Sequence, residues 1–242
     1  MISDATIRSL NENQGVLTLG LFLASLVFGW LSGIFGSLRG KPKLRISLIP
    51  GPTFCSTFPL DEKNDGHQVH RTAIALYLRI ANVGHAPTSI EDVSLTYRWG
   101  VHPRNPLRFL RKMIWLPAAV VIEDFQVAIG DNIKFFPMLI QESSTTGQRP
   151  MTYLKPGQSV NGVCYFEQTK SWGAFHPFVL DGQTKLRVHV TDACGSTWTK
   201  NIRAPVVRLD EAKQYNPSFG DTLAHLHREL APSNSEEPAR SP

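Results

Sequence analysis

The chain has 242 residues, 42% hydrophobic and 19% charged, with a formal net charge of +5. Three cysteines, Cys55, Cys164 and Cys194, are an odd and sparse count that does not look like an exported disulfide scaffold. The basic surplus sits next to an apolar run and around 104–112 without any nucleic-acid-binding signature, so no nucleic-acid partner is expected.

Residues 1–14 form a leader with one base, Arg8, against Asp4 and Glu12. Residues 15–38 follow as 24 uncharged positions, GVLTLGLFLASLVFGWLSGIFGSL. About 20 apolar residues at 1.5 Å rise match a hydrocarbon core of roughly 30 Å, so the run reads as one transmembrane helix. It is too long for the core of a signal peptide and is followed by bases instead of a cleavage motif. Ser25, Gly29, Gly33 and Ser37 recur every four residues as a small-residue stripe, the pattern of helix self-association in a membrane, and a homodimer through the helix is one expectation.

Arg39, Lys41, Lys43 and Arg45 make residues 39–45 a basic juxtamembrane linker. Flanking bases are retained on the cytoplasmic side, so the N-terminus is expected outside and the main domain in the cytoplasm of a bacterial inner membrane. The alternative is a periplasmic domain, since large C-terminal domains can override loop charge.

From residue 43 to 207 the pattern is that of a β-domain. Ile74, Leu76, Leu78 and Ile80 alternate with Tyr77 and Arg79; Val93, Leu95 and Tyr97 alternate with Ser94, Thr96 and Arg98; Leu186, Val188 and Val190 alternate with Arg187 and His189. Period two marks strands with one buried and one wet face. Asn82-Val83-Gly84, Lys155-Pro156-Gly157 and Asp192-Ala193-Cys194-Gly195 supply the turns. Short strands with frequent Pro and Gly point to an antiparallel sandwich.

ALYLRIANVGHAPTSIEDVSL, YLKPGQSV and KLRVHVTDACGSTWTK resemble the strand grammar of bacterial immunoglobulin-like and fibronectin-like domains. In those an N-x-G turn links two early strands, an L-x-P-G turn opens a middle one, and a D-x-x-G turn closes the last hairpin. The resemblance implies the fold and no particular activity. The inter-sheet disulfide and core tryptophan of antibody domains have no counterpart here.

Residues 100–150 exceed a sandwich connection and read as an insertion. Leu107, Leu110 and Ile114 lie on one side of an expected short helix, with Arg104, Arg108, Arg111 and Lys112 opposite and Phe109, Met113 and Trp115 widening the apolar part. Two readings stand: a basic amphipathic helix in the lipid headgroup layer, or a helix packed over an open end of the sandwich. Residues 118–140 read as one or two strands or a hairpin. Residues 208–230 form a C-terminal extension with a short helix within 218–230, and residues 231–242 a polar, Pro-rich tail expected to be disordered.

No catalytic residue, metal site or cofactor is assigned. His67-x-x-His70 lacks Cys or acidic partners at zinc spacing. Cys194 lies beside Asp192, which opposes thiolate formation, and Glu91 and Asp92 face opposite sides of a strand. The expectation is a membrane-anchored binding or scaffold protein whose partners are the bilayer and another protein. The alternatives are a periplasmic envelope-assembly or ligand-binding domain on an uncleaved signal anchor, and a membrane sensor or effector of a stress or phage-defence system.

Overall fold

In the computed structural model, which describes residues 13–31, 40–99, 113–142, 147 and 150–223, the architecture is organised around one long strand. This strand, β3 (His67–Asn82), follows β1 (Leu44–Leu48) and β2 (Phe54–Asn64). It pairs antiparallel with β2 along its first half, with β1 along its second, and with β9 (Ser159–Trp172) on its other side. A second antiparallel sheet is built on β4 (Thr88–Arg98), with β5 (Met113–Pro117) on one side and β11 (Gln183–Asp192) on the other. The last long strand, β12 (Thr197–Pro205), pairs with β11 along nine register positions. Two-residue strands β8 (Tyr153–Leu154) and β10 (Val179–Leu180) extend β4 and β11. The split of β3 and β9 from β4, β11 and β12 is that of an immunoglobulin-like sandwich.

The alternation read from the sequence is what buries the core. Ile74, Leu76, Leu78 and Ile80 of β3 meet Val93, Leu95 and Tyr97 of β4 and Leu186, Val188 and Val190 of β11, all with almost no exposure. Cys55 and Cys164 are buried in the same cluster as free thiols, whereas Cys194 is exposed in the β11–β12 turn.

The opposite face of β3 is not wet. Ala73, Ala75, Val163 and Tyr165 are covered by Phe125, Phe136, Met138, Ala212 and Phe219, a second apolar layer. Part of this layer is the hairpin β6 (Phe125–Ile129) and β7 (Asn132–Phe136), inside the stretch expected to hold a hairpin. Ala119, Val121 and Met138 flank that hairpin in the layer, and Ala212 and Phe219 come from the C-terminal extension. Gly162 lets this layer approach β9, because a Cβ there would overlap the backbone of Leu139.

One expectation shifts. Met113, Ile114 and Trp115 belong to strand β5, paired with Arg98, Tyr97 and Thr96, and not to the end of a helix; ladder pairing along β4 overrides helical spacing. The rest of the expected helix lies outside the described residues. A short C-terminal helix, α2 (Leu209–Lys213), lies in the expected extension, and of the helix expected within 218–230 only residues up to 223 are described. Gly220, at φ +82, bends the chain before Thr222 and Leu223 begin a further helical turn, beyond which the described residues end.

The one long helix among the described residues, α1 (Gln14–Leu31), is apolar and none of its span is buried. It is long and apolar enough to cross a membrane. The remainder of the expected span, 32–38, lies outside the described residues, as do the leader 1–12 and the tail 231–242.

Buried polar side chains fix the ends of the sandwich. Asn82 has no exposure; its Oδ1 accepts from the Gly84 and Lys43 amides at 3.0 and 3.4 Å, and its Nδ2 donates to the Ala86 and Leu154 carbonyls at 2.8 and 3.1 Å. Asp192 accepts from the Cys194 and Ser196 amides at 3.0 and 2.8 Å and from the Thr88 hydroxyl at 2.9 Å. The N-x-G and D-x-x-G turns therefore lock one end of the sandwich, where the linker enters.

On the back of the first sheet, the Arg71 guanidinium contacts Asp221 at 2.9 Å, donates to the Gly220 carbonyl at 2.7 Å, and lies 4.0 Å from the Glu167 carboxylate. Tyr165 donates to Glu167 at 2.7 Å and accepts from the Gly220 amide at 2.9 Å. Arg71→Met leaves the wholly buried Glu167 carboxylate without its cation and should destabilise the fold by about 3–5 kcal/mol. Asp221→Asn, at a carboxylate one-third exposed, should cost about 1 kcal/mol or less. Urea denaturation of the detergent-solubilised chain measures both, and equal costs would refute the assignment of Arg71 to Glu167.

Candidate functional site

The outer face of the second sheet is a grid set by strand register. One row runs Trp115, Thr96, Arg187, Asn201 across β5, β4, β11 and β12. The next row on the same face starts with Met113 and Arg98 and continues with Lys185 and Arg203. Side chains two apart on a strand share a face, so Arg98 follows Thr96, and Lys185 and Arg187 stand together.

A groove of about 830 Å³ opens along this grid, and Arg98, Lys185, Arg187 and Arg203 all line it. Met113, Phe178 and Leu180 supply apolar lining, and Asp181 is its one acidic member. Asp181 occupies the tight β10–β11 turn at φ +51, followed by Gly182 at φ +70. Such a two-residue turn with both φ values positive is the type that matches strand twist.

Among the described residues none of the four cations is in an ion pair. Arg187 is oriented by a 2.9 Å bond from its Nε to Asn201 Oδ1. Lys185 and Arg203 stand directly opposite one another across the ladder, a like-charge pairing that destabilises a sheet.

His189 borders the groove. Its Nε2 lies 2.9 Å from the Thr96 hydroxyl and its ring 4.5 Å from that of Trp115. Partial burial, assisted by the Arg187 charge, lowers its pKa below 6.5. The thiols are remote from this chemistry: burial pushes Cys55 up to about 12 and raises Cys164 as well, so both stay protonated and inert.

The residues singled out from the sequence fall elsewhere. Ser25 is exposed on α1, its hydroxyl donating to the Leu21 carbonyl of the preceding turn at 2.8 Å, and Gly29 lies one turn further on. Gly33, Ser37, Arg39, Arg104, Arg108, Arg111 and Lys112 lie outside the described residues. Lys41, Lys43 and Arg45 are exposed where the linker meets β1. Trp115 is 55% exposed beside the groove, toward the other end of the sandwich. His67 and His70, three apart on one strand, face opposite sides; the His70 ring instead lies 5.8 Å from that of His176.

Sequence reading missed the groove because its cations come from three strands. Arg98 and Arg187 appear in it only as wet-face residues, and their convergence requires the register.

No protein-family model matches the chain, and no curated protein matches it. A crystal structure of the ApaA protein from Bordetella pertussis is similar at 9% identity over 68% of this chain and 94% of that one, with a TM-score of 0.23, too slight a likeness to bear on function.

The His189 imidazole should titrate below 6.5 by NMR and stay neutral at pH 7. Arg187→Gln removes the smaller of the two causes, so the midpoint should rise part of the way toward 6.5. A midpoint above 6.5 in the unaltered chain would contradict the geometry.

Proposed function

We propose that this chain is a single-pass, membrane-anchored binding or scaffold protein that holds its immunoglobulin-like sandwich at the cytoplasmic face of a bacterial inner membrane. The observation that carries this reading is α1, whose large side chains are uncovered: Phe28 and Trp30 are 71% and 76% exposed. So much apolar surface on one helix is stable in lipid and not in water.

The basic linker supports an outside N-terminus. The exposed free thiol of Cys194 accords with a reducing compartment. Lys41, Lys43 and Arg45 sit where the tether leaves the domain, in place to meet anionic headgroups at about 1 kcal/mol each. Tethering confines the sandwich to a thin layer and raises its effective concentration toward membrane partners. A second copy pairing along Ser25, Gly29, Gly33 and Ser37 is a further partner, and a protein bound to the sandwich is another. The chain works through binding and not turnover, and its buried thiols are inert.

Topology tests the reading. A reporter fused after Pro242 leaves intact the extension whose Phe219 belongs to the back layer. Fluorescence without phosphatase activity is the expected outcome; phosphatase activity would place the sandwich in the periplasm and reverse the reading. In a membrane self-association reporter, Gly29→Ile and Gly33→Ile should each weaken the signal. An unchanged signal would remove the helix dimer.

A further inference from the structure

We propose that the groove on the outer face of the second sheet binds a small molecule carrying two or more closely spaced phosphates on a compact organic skeleton. This names the ligand class of the binding module above and depends on its working by binding, not on which side of the membrane it stands.

Charge density carries the inference. Arg98, Lys185 and Arg203 form one row and Arg187 lies next to it, so with strands about 4.8 Å apart their Cα positions fall within about 10 Å, and all four side chains line the one groove. Asp181 offsets one of the four. A phosphomonoester carries about −1.5 to −2 at pH 7, so two phosphates on one skeleton balance the patch. Carboxylates would have to converge three or four at a time to do the same. Three of the four cations are guanidinium groups, whose planar fork donates to two phosphate oxygens at once.

Shape agrees with charge. The volume of about 830 Å³ suits a small ligand and lies inside the usual range for such clefts. Met113, Phe178 and Leu180 give the carbon skeleton an apolar wall. The patch ends at the free edge of β12 and at the β10–β11 turn, so it does not form the long track that a nucleic-acid backbone requires.

The same chemistry has two sources: a free phosphorylated metabolite and the headgroup of a phosphorylated lipid. The groove sits at the Arg98 end of β4, and ten strand steps, about 33 Å, separate that end from Thr88 beside the linker. That distance favours the free molecule.

The test is calorimetric titration of the full chain in nonionic detergent with inositol 1,4,5-trisphosphate and with ADP. Inorganic phosphate and a hexaglutamate peptide are the controls. One saturable site is expected for at least one of the two phosphorylated probes, about tenfold or more tighter than either control. Lys185→Gln with Arg203→Gln should weaken it by about tenfold or more, while Arg203→Lys, keeping charge without the fork, should weaken it less.

Lys185 and Arg203 are exposed, so the doubly altered chain should melt no lower than the original. Arg98→Gln provides a second reading if it does melt lower. Vesicles holding a bisphosphorylated inositol lipid separate the sources: no gain over the soluble probe supports the free molecule, and about tenfold tighter binding assigns the site to the headgroup.

Absence of saturable binding by both probes and the vesicles, equal affinity for hexaglutamate, or indifference to the substitutions would overturn the site and leave the tethered module standing. Release of inorganic phosphate from a bound probe would instead overturn the binding-only reading and keep the site.

Discussion

β3 has no solvent face along most of its length, and the rest of the architecture follows from that constraint. A strand of 16 residues whose one side carries Ile74, Leu76, Leu78 and Ile80 demands an opposing sheet, which β4 and β11 supply. Its other side carries Ala73 and Ala75, too small to exclude water alone, so bulk must come from elsewhere. Phe125, Phe136 and Phe219 provide it, the first two from the insertion and the third from beyond the last strand. Two excursions that look dispensable beside a minimal sandwich are therefore a third layer. Trimming the chain at Val207 would expose Tyr165 and leave the buried Glu167 without its Leu223 amide at 3.3 Å.

Polar side chains do for the loops what apolar ones do for the strands. Asn82 uses both ends of its amide to tie the linker, the first turn and β8 to a single point. Gly84 makes that possible, since a Cβ there would overlap the backbone of Lys41 and Lys43. Asp192 organises the adjacent hairpin in the same way, as a carboxylate held entirely by amides and a hydroxyl. Both ties lie at the linker end. The opposite end, where β4 gives way to the insertion and β10 turns into β11, carries the groove.

The strands and turns were legible because each is local: alternation needs five or six residues, and an N-x-G or D-x-x-G turn needs three or four. The back layer was not, because its partners are Phe125 and Phe219, 94 residues apart, and β3 meets them with Ala73 and Ala75, which carry no strong apolar signal. Residues 113–115 read as helix because Leu107, Leu110 and Ile114 satisfy helical spacing, while the pairing of Tyr97 with Ile114 that decides the matter is a tertiary fact. The same limit hid the groove. Arg98, Lys185 and Arg203 are ordinary wet-face residues one strand at a time, and become a cation row only in register.

A charged outer face has a bland explanation, since bases on an edge strand discourage pairing with another chain. That explanation accounts for Lys200 and Arg203 on β12, which among the described residues has a ladder with β11 alone. It does not account for Arg98 and Arg187, because β4 and β11 are central strands with neighbours on both sides. Nor does it explain why Lys185 is set opposite Arg203, where either an acid or a neutral residue would stabilise the ladder. A solubilising surface intersperses both signs; here the one acid in the groove, Asp181, stands in the turn and not among the cations. Like charges held together on rigid central strands raise the energy of the empty protein and lower it when a compact polyanion arrives. That is the arrangement a preorganised anion site requires.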